Sequence, residues 1–115
     1  PRVYEDMLMK HVIMEVTSKR LGVTGVFSRD EELVGIVTDG DLRRALERYE
    51  NMLEKRARDV MVRSPKGIEK GALAAAALRQ MEEFSITSLF VFHGDDRKHP
   101  IGILHIHDLL KAKVV

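Results

Sequence analysis

The sequence contains no cysteine, which excludes a disulfide scaffold and a thiolate metal site and fits a protein kept in a reducing cytoplasm. It has no apolar run approaching the ~20 residues needed to span a bilayer, and no signal-peptide pattern. An excess of one charge is missing as well. Nineteen Lys and Arg stand against eighteen Asp and Glu, a formal net charge of +1, so no global field draws in nucleic acid or an anionic membrane. Aromatics are few: four Phe and two Tyr offer little stacking surface for single strands. There is neither a Ser/His/Asp or Cys/His constellation placed by motif nor a phosphate-cradling P-loop. No catalytic residue is therefore assigned, and the chain by itself is expected not to be an enzyme.

What is present is an ordinary globular mixture, 44% hydrophobic and 32% charged over 115 residues, enough to bury a core without staples. The first residue is Pro1 rather than Met, which suggests a piece of a longer protein.

The chain repeats itself. "LGVTGVF" (21–27) and "FSITSLF" (84–90) share alternating apolar positions centred on Thr24 and Thr87. Each leads through a polar stretch, "SRDEEL" or "HGDDRKHP", into a glycine and an apolar run, "GIVTDGDL" (35–42) or "GILHIHDL" (102–109). These are two hairpins, the second four residues longer on this matching. Asp41 and Asp108 align, and both copies continue as helices. After Asp41, Leu42, Ala45, Leu46 and Tyr49 fall on one helical face. After Asp108 come Leu109, Leu110 and Ala112. Upstream, "GALAAAALRQMEEFS" predicts a helix with Leu73, Ala77 and Met81 as its inner stripe. The second copy is entered through an extended lead, "DVMVRSPKGIE" (59–69). Matching Asp6-Met7-Leu8 to Asp59-Val60-Met61 leaves the first copy about ten residues short near His11-Val12. The repeats are thus read as 1–56 and 57–115.

A tandem pair built this way, with Gly-apolar-x-Ser/Thr-x-x-Asp in the first copy and the Asp kept in the second, resembles the CBS-domain pair, or Bateman module. The resemblance covers nearly the whole chain. It implies an α+β (α/β) fold of two β-α-β-β-α-like repeats, whose small sheets pack around a pseudo-twofold axis. Clefts between the repeats are where that family holds AMP, ADP, ATP or S-adenosylmethionine. A narrower resemblance, carried by "GIVTDGDLRRALE", "ITSLFVF" and "GILHIHDLLKAKVV", is to the C-terminal CBS pair of bacterial D-arabinose 5-phosphate isomerases. There a separate sugar-isomerase (SIS) domain does the chemistry, and the product feeds synthesis of Kdo, a lipopolysaccharide sugar. The implied partners are that SIS domain and a second copy in a homodimer formed through CBS helices. Nucleic acid and membrane are not expected as partners. No cofactor is required; the implied regulatory ligands are AMP, ADP, ATP or a CMP-linked sugar. The alternative is a purely structural module that dimerises without ligand.

On that resemblance the ligand-binding residues are Thr38, Asp41, Arg43, Ser64, Pro65, Lys66, Ile68, Thr87, His105 and Asp108. Asp41 can accept two hydrogen bonds from a ribose diol, and Thr38 can donate to phosphate beside helix N–H groups. Asp39 or Asp41 can equally serve as a helix N-cap, and capping and ribose binding can coexist. Arg43 and Arg44 lie where a cation opposes the helix dipole, so a nearby anion would rationalise them; solvated surface arginine is the plainer reading. The resemblance gives the lead Ser64-Pro65-Lys66 and Ile68 contacts to the base, although Ser64-Pro65 also reads as an ordinary linker. His105 stands at the place of Thr38, a departure from the family pattern, and would favour phosphate most when protonated. Phe90 is assigned to packing. His93, His99, His105 and His107 raise a metal site, but zinc needs three or four converging ligands, and none is assigned.

Overall fold

The computed structural model describes residues 2–19, 23–63 and 65–111. In chain order they form β1 Val3–Tyr4, α1 Met9–Lys19, β2 Val23–Phe27, β3 Leu33–Thr38 and α2 Asp39–Arg48. A single 3-10 turn, Met52–Glu54, and the short helix α3 Ala57–Val60 come next. Then follow β4 Val62–Arg63, β5 Gly67–Glu69, α4 Ala74–Phe84, β6 Ser88–Phe92, β7 Gly102–His105 and α5 Ile106–Lys111. The chain divides into two compact units, Pro1–Pro65 and Lys66–Val115.

In the first unit the strand order is β1-β2-β3-β4, with β1 parallel to β2 and the other neighbours antiparallel. β3 alternates buried and half-buried residues with the period of two that a one-sided strand requires. Helix α1 buries Met9, Val12 and Val16 at i, i+3 and i+7, against Val3, Val26, Val37, Ala45, Met52, Ala57 and Met61. Each fully buried Val or Met contributes about 1.5–3 kcal/mol of transfer free energy. Residues 57–63 belong to this unit for a visible reason. The amide of Ala57 donates to the Met7 carbonyl at 2.8 Å, that of Arg58 to the Glu5 carbonyl at 2.9 Å, and Val62 and Arg63 pair with Ile36 and Gly35.

The second unit has the strand order β5-β6-β7, again parallel then antiparallel. Ala77, Met81, Leu89 and Leu109 are its buried centre, surrounded by Ile68, Ala74, Leu78, Ile86, Leu104 and Ile106. The alanine run favours helix and lets α4 pack closely. Ser85 stops it in the left-handed conformation (φ 54°), and the Ile86 amide returns to the Met81 carbonyl at 2.9 Å.

Both units are β-α-β-β-α, and their registers correct the repeat alignment read from sequence. Val3 and Tyr4 pair with Val26 and Phe27 as Ile68 and Glu69 pair with Val91 and Phe92, at equal separations along the chain. The helices between them, α1 and α4, are both 11 residues long. The ten-residue deficit near His11-Val12 is therefore not there: in this register Asp6 stands at the place of Gly71, not of Asp59. Asp59, read as extended, lies in α3. Thr24 and Thr87 are not equivalent either: Val23 faces Thr38 as Ser88 faces His105, so Leu89 stands at the place of Thr24. Val26 pairs with Gly35 and Val91 with Gly102, separations of nine and eleven residues, so the second hairpin is longer by two residues and not four.

Three apolar positions also differ from expectation. Leu46 on α2 is 63% exposed, Leu110 on α5 is 51% exposed, and Leu73 is the exposed N-cap of α4 rather than part of its inner stripe. Single apolar side chains at a surface are ordinary. Phe90 is buried, as packing requires. Ala112 lies outside the described residues.

Candidate functional site

The turn from β3 into α2 places a hydroxyl and a carboxylate against each other. Thr38, extended at φ −110° and ψ 169°, is the N-cap of α2. Its Oγ1 accepts from the Asp41 amide at 3.1 Å. Asp41 Oδ2 accepts in return from the Thr38 amide at 2.8 Å and from the Thr38 hydroxyl at 2.9 Å. This is a capping box with Asp in place of Glu, which satisfies two amides that an open helix end would leave bare. The other oxygen, Oδ1, accepts from Arg44 Nη2 at 2.6 Å. Asp41 is only 6% exposed, whereas the Arg44 side chain is 65% exposed. Asp39 and Asp41 add negative charge to the first turn, where the helix dipole favours it.

Arg44 leads into a cleft of about 220 Å³ within the first unit. Asp41, Arg44, Ala45, Arg48 and Tyr49 from α2 and its C-cap line one wall; Asp59, Val60 and Val62 line the other. Two guanidiniums one turn apart thus share a concavity with two carboxylates and an apolar floor. The Arg48 guanidinium lies 5.3 Å and the Lys55 ammonium 4.8 Å from the centre of the Tyr49 ring. Asp59 Oδ2 is held by the Arg56 amide at 2.9 Å.

The matching turn in the second unit is chemically different. The His105 amide donates to Asp108 Oδ2 at 2.9 Å, as Thr38 does to Asp41. The side-chain half of the box is taken over by an imidazole, whose Nδ1 accepts from the His107 amide at 3.1 Å. Accepting there requires the proton on Nε2. The His105 and His107 rings stack with centroids 4.6 Å apart, and Asp108 is exposed.

The sequence-derived set is thus distributed over two turns and a lead. Thr38 and Asp41 meet in one hydrogen-bonded cluster, while Arg43 is exposed on α2. His105 and Asp108 meet in the other. Thr87 is exposed and joins it only through its carbonyl, which accepts from the Ile106 amide at 2.8 Å. Pro65 is half-buried at the unit boundary, and Ser64 lies outside the described residues. Lys66 holds its ammonium 4.3 Å from the Phe84 ring centre, and Ile68 packs into the second core. Sequence reasoning did not give Arg44 its partner, nor did it find Arg48, Tyr49, Asp59, Val60 and Val62 as cleft residues. The Asp41-x-x-Arg44 spacing was the available signal, because i and i+3 are neighbours on a helix. Among the described residues no group of three or more His, Asp or Glu is placed to hold a metal ion. No helix among them is long and apolar enough to cross a membrane.

Comparison with known proteins adds the following. A family model described as CBS domain matches residues 1–48 and 57–115. The arabinose 5-phosphate isomerase KdsD of Pseudomonas aeruginosa is 42% identical over 115 residues, all of this chain and 35% of that protein. KdsD of Escherichia coli K12 is 38% identical over the same span, 34% of its length. The chain therefore spans about a third of the curated relatives it matches. Among solved structures, CBSX2 in complex with AMP superposes with a TM-score of 0.81 at 22% identity, covering 99% of this chain and 87% of that one. The CBS domain protein PAE2072 from Pyrobaculum aerophilum, complexed with AMP, gives 0.78 at 23% identity, covering 100% and 93%. At such identities the likeness is one of fold.

Proposed function

The chain belongs to the CBS-domain family, and from that premise we propose that it is the regulatory module of an arabinose 5-phosphate isomerase. In this reading it binds an adenosine nucleotide or a nucleotide-sugar, and Asp41 and Thr38 are the centre of the site. The observation that carries it is the Asp41 carboxylate, buried beside a helix N-terminus and a cleft that holds two arginines. A carboxylate accepts from a vicinal diol, while helix amides and guanidiniums favour phosphate. AMP in CBSX2 and in PAE2072 and the identity with KdsD support the ligand class and the parent enzyme respectively.

The remaining sequence-derived residues take supporting parts. Arg43 borders the ligand from α2 in this reading, and Thr87, His105 and Asp108 form a second, weaker site within the second unit. The isomerase chemistry belongs to a separate SIS domain that acts in the cytoplasm on a sugar phosphate of Kdo synthesis. A ligand alters that activity only by binding two arrangements of the module unequally. CMP-linked Kdo carries the required ribose and phosphate and would report the end product.

Isothermal titration of the chain with AMP, ATP and a CMP-linked sugar tests this; saturable heat with one of them is expected, and none with any defeats it. A second reading, a ligand-free dimerisation module, draws on the exposed Leu46, Leu53, Leu73 and Leu110. Sedimentation separates the two: a stable dimer whose assembly and heat are both indifferent to nucleotide favours the second.

A further inference from the structure

Building on the ribose-phosphate reading of Asp41, we infer that Arg44 is an exchangeable counterion that makes binding there conditional on an anionic group in the ligand. Both oxygens of Asp41 are engaged in the structure. Oδ2 holds the Thr38 amide and hydroxyl at 2.8 and 2.9 Å, the bonds that start α2. Oδ1 holds Arg44 at 2.6 Å. A diol that approaches Asp41 therefore competes for Oδ1, because taking Oδ2 would open the helix.

The competitor it meets can move. The Arg44 side chain is 65% exposed and sits on a long flexible stem. Its guanidinium rests over Gly40, where an added Cβ would lie 3.3–3.6 Å from its atoms. Arg44 also lines the cleft, with Arg48 on the same wall, so the displaced cation remains at the ligand.

The chemical consequence is a selection rule. A neutral nucleoside that takes Oδ1 breaks a charge-assisted bond and gives the guanidinium nothing in return. A phosphorylated nucleoside takes Oδ1 with its diol and receives Arg44 on its phosphate, so the guanidinium exchanges a carboxylate for a phosphate. Inorganic phosphate gains Arg44 but not Asp41. The ligand class is thus a ribonucleotide or nucleotide-sugar whose anion lies within an arginine's reach of its diol, and Arg44 sets that specificity.

The test compares the chain with its Arg44→Met variant, which keeps the apolar stem and removes the charge. AMP against adenosine, CMP against cytidine, and inorganic phosphate are titrated calorimetrically, with far-UV circular dichroism to show that α2 is intact. For the unaltered chain the nucleotide is expected to bind about ten-fold or more tightly than its nucleoside, the scale of one charge-assisted hydrogen bond. In Arg44→Met that ratio should fall to within about three-fold, and the nucleoside should bind more tightly than it does to the unaltered chain, because no counterion has to leave. An unchanged ratio, or equal weakening of nucleotide and nucleoside, overturns the inference while the nucleotide site stands. Absence of nucleotide binding to the unaltered chain overturns both.

Discussion

Alanine at Gly35 and at Gly102 should act in opposite directions, although the two glycines hold the same place in the two repeats. A Cβ on Gly35 would lie 2.7 Å from the Met61 sulfur and 2.8 Å from the Val62 carbonyl oxygen. The methionine can turn aside; the carbonyl belongs to β4, which pairs with β3 at this point. Gly35→Ala therefore pushes β4 off the sheet edge and loosens residues 57–63 from the first unit. Overpacking of this kind costs about 1–3 kcal/mol, and contact with a fixed backbone atom puts the estimate near the middle, about 2 kcal/mol. For a unit of this size that lowers the melting temperature by on the order of 10 °C. Gly102 has nothing within 4 Å of its added Cβ and is exposed. There alanine chiefly narrows the unfolded ensemble, and a gain of about 0.4–1 kcal/mol is expected. Urea unfolding followed by circular dichroism reads both variants. Tyrosine fluorescence adds a local reporter, since Tyr4 and Tyr49, the two tyrosines of the chain, lie in the first unit. If Gly35→Ala lies within about 0.5 kcal/mol of the unaltered chain, the range of ordinary surface substitutions, the placing of β4 against Gly35 is refuted; if Gly102→Ala is the weaker protein, the open surroundings of Gly102 are.

Thr38→Ala removes the hydroxyl half of the capping box and should destabilise the first unit by about 1 kcal/mol, with Thr38→Ser close to neutral, in the same urea experiment. The Thr24 hydroxyl is buried with no hydrogen-bond partner, so Thr24→Val, which replaces it with a methyl, should raise stability by roughly 0.5–1 kcal/mol; a loss would reveal a partner for that oxygen. In the second hairpin, the Lys98 amide above all, together with the His99 ring, holds the Asp96 carboxyl below the usual carboxylate range. Its contribution to folding is therefore full above the unfolded value of about 3.9 and fades only as pH falls through the lower, folded one. An NMR titration of the Asp96 carboxyl carbon should place its midpoint below the ordinary value of about 3.9; a midpoint above it would contradict this.

Periodicity carried most of the fold. The apolar spacing of α2 and α4 and the two Gly-led strands could be read directly, because helices and half-buried strands repeat at 3.6 and 2 residues. What could not be read was short or set by tertiary contact. β1 and β4 have two residues each, too few to show alternation, and without them nothing in the sequence sets Asp6 opposite Gly71 rather than Asp59. Thr24 and Thr87 misled because identity was weighed above register; hydrogen bonding pairs Val23 with Thr38 and Ser88 with His105. At the site, a capping pattern was legible from Thr38-x-x-Asp41, although the N-cap is Thr38, with Asp41 at the third helical position, and not Asp39 or Asp41. The cleft was not, since it needs α3 and β4 folded back on α2, a contact that no local spacing encodes.

Whether a ribonucleotide is held at the start of α2 is read from backbone amides as AMP or CMP is titrated into isotopically labelled chain. Saturating shifts centred on Thr38, Asp41 and Arg44 are expected, and they should disappear in Asp41→Asn together with the binding heat. Shifts confined to other residues, or none at millimolar nucleotide, would contradict that placement.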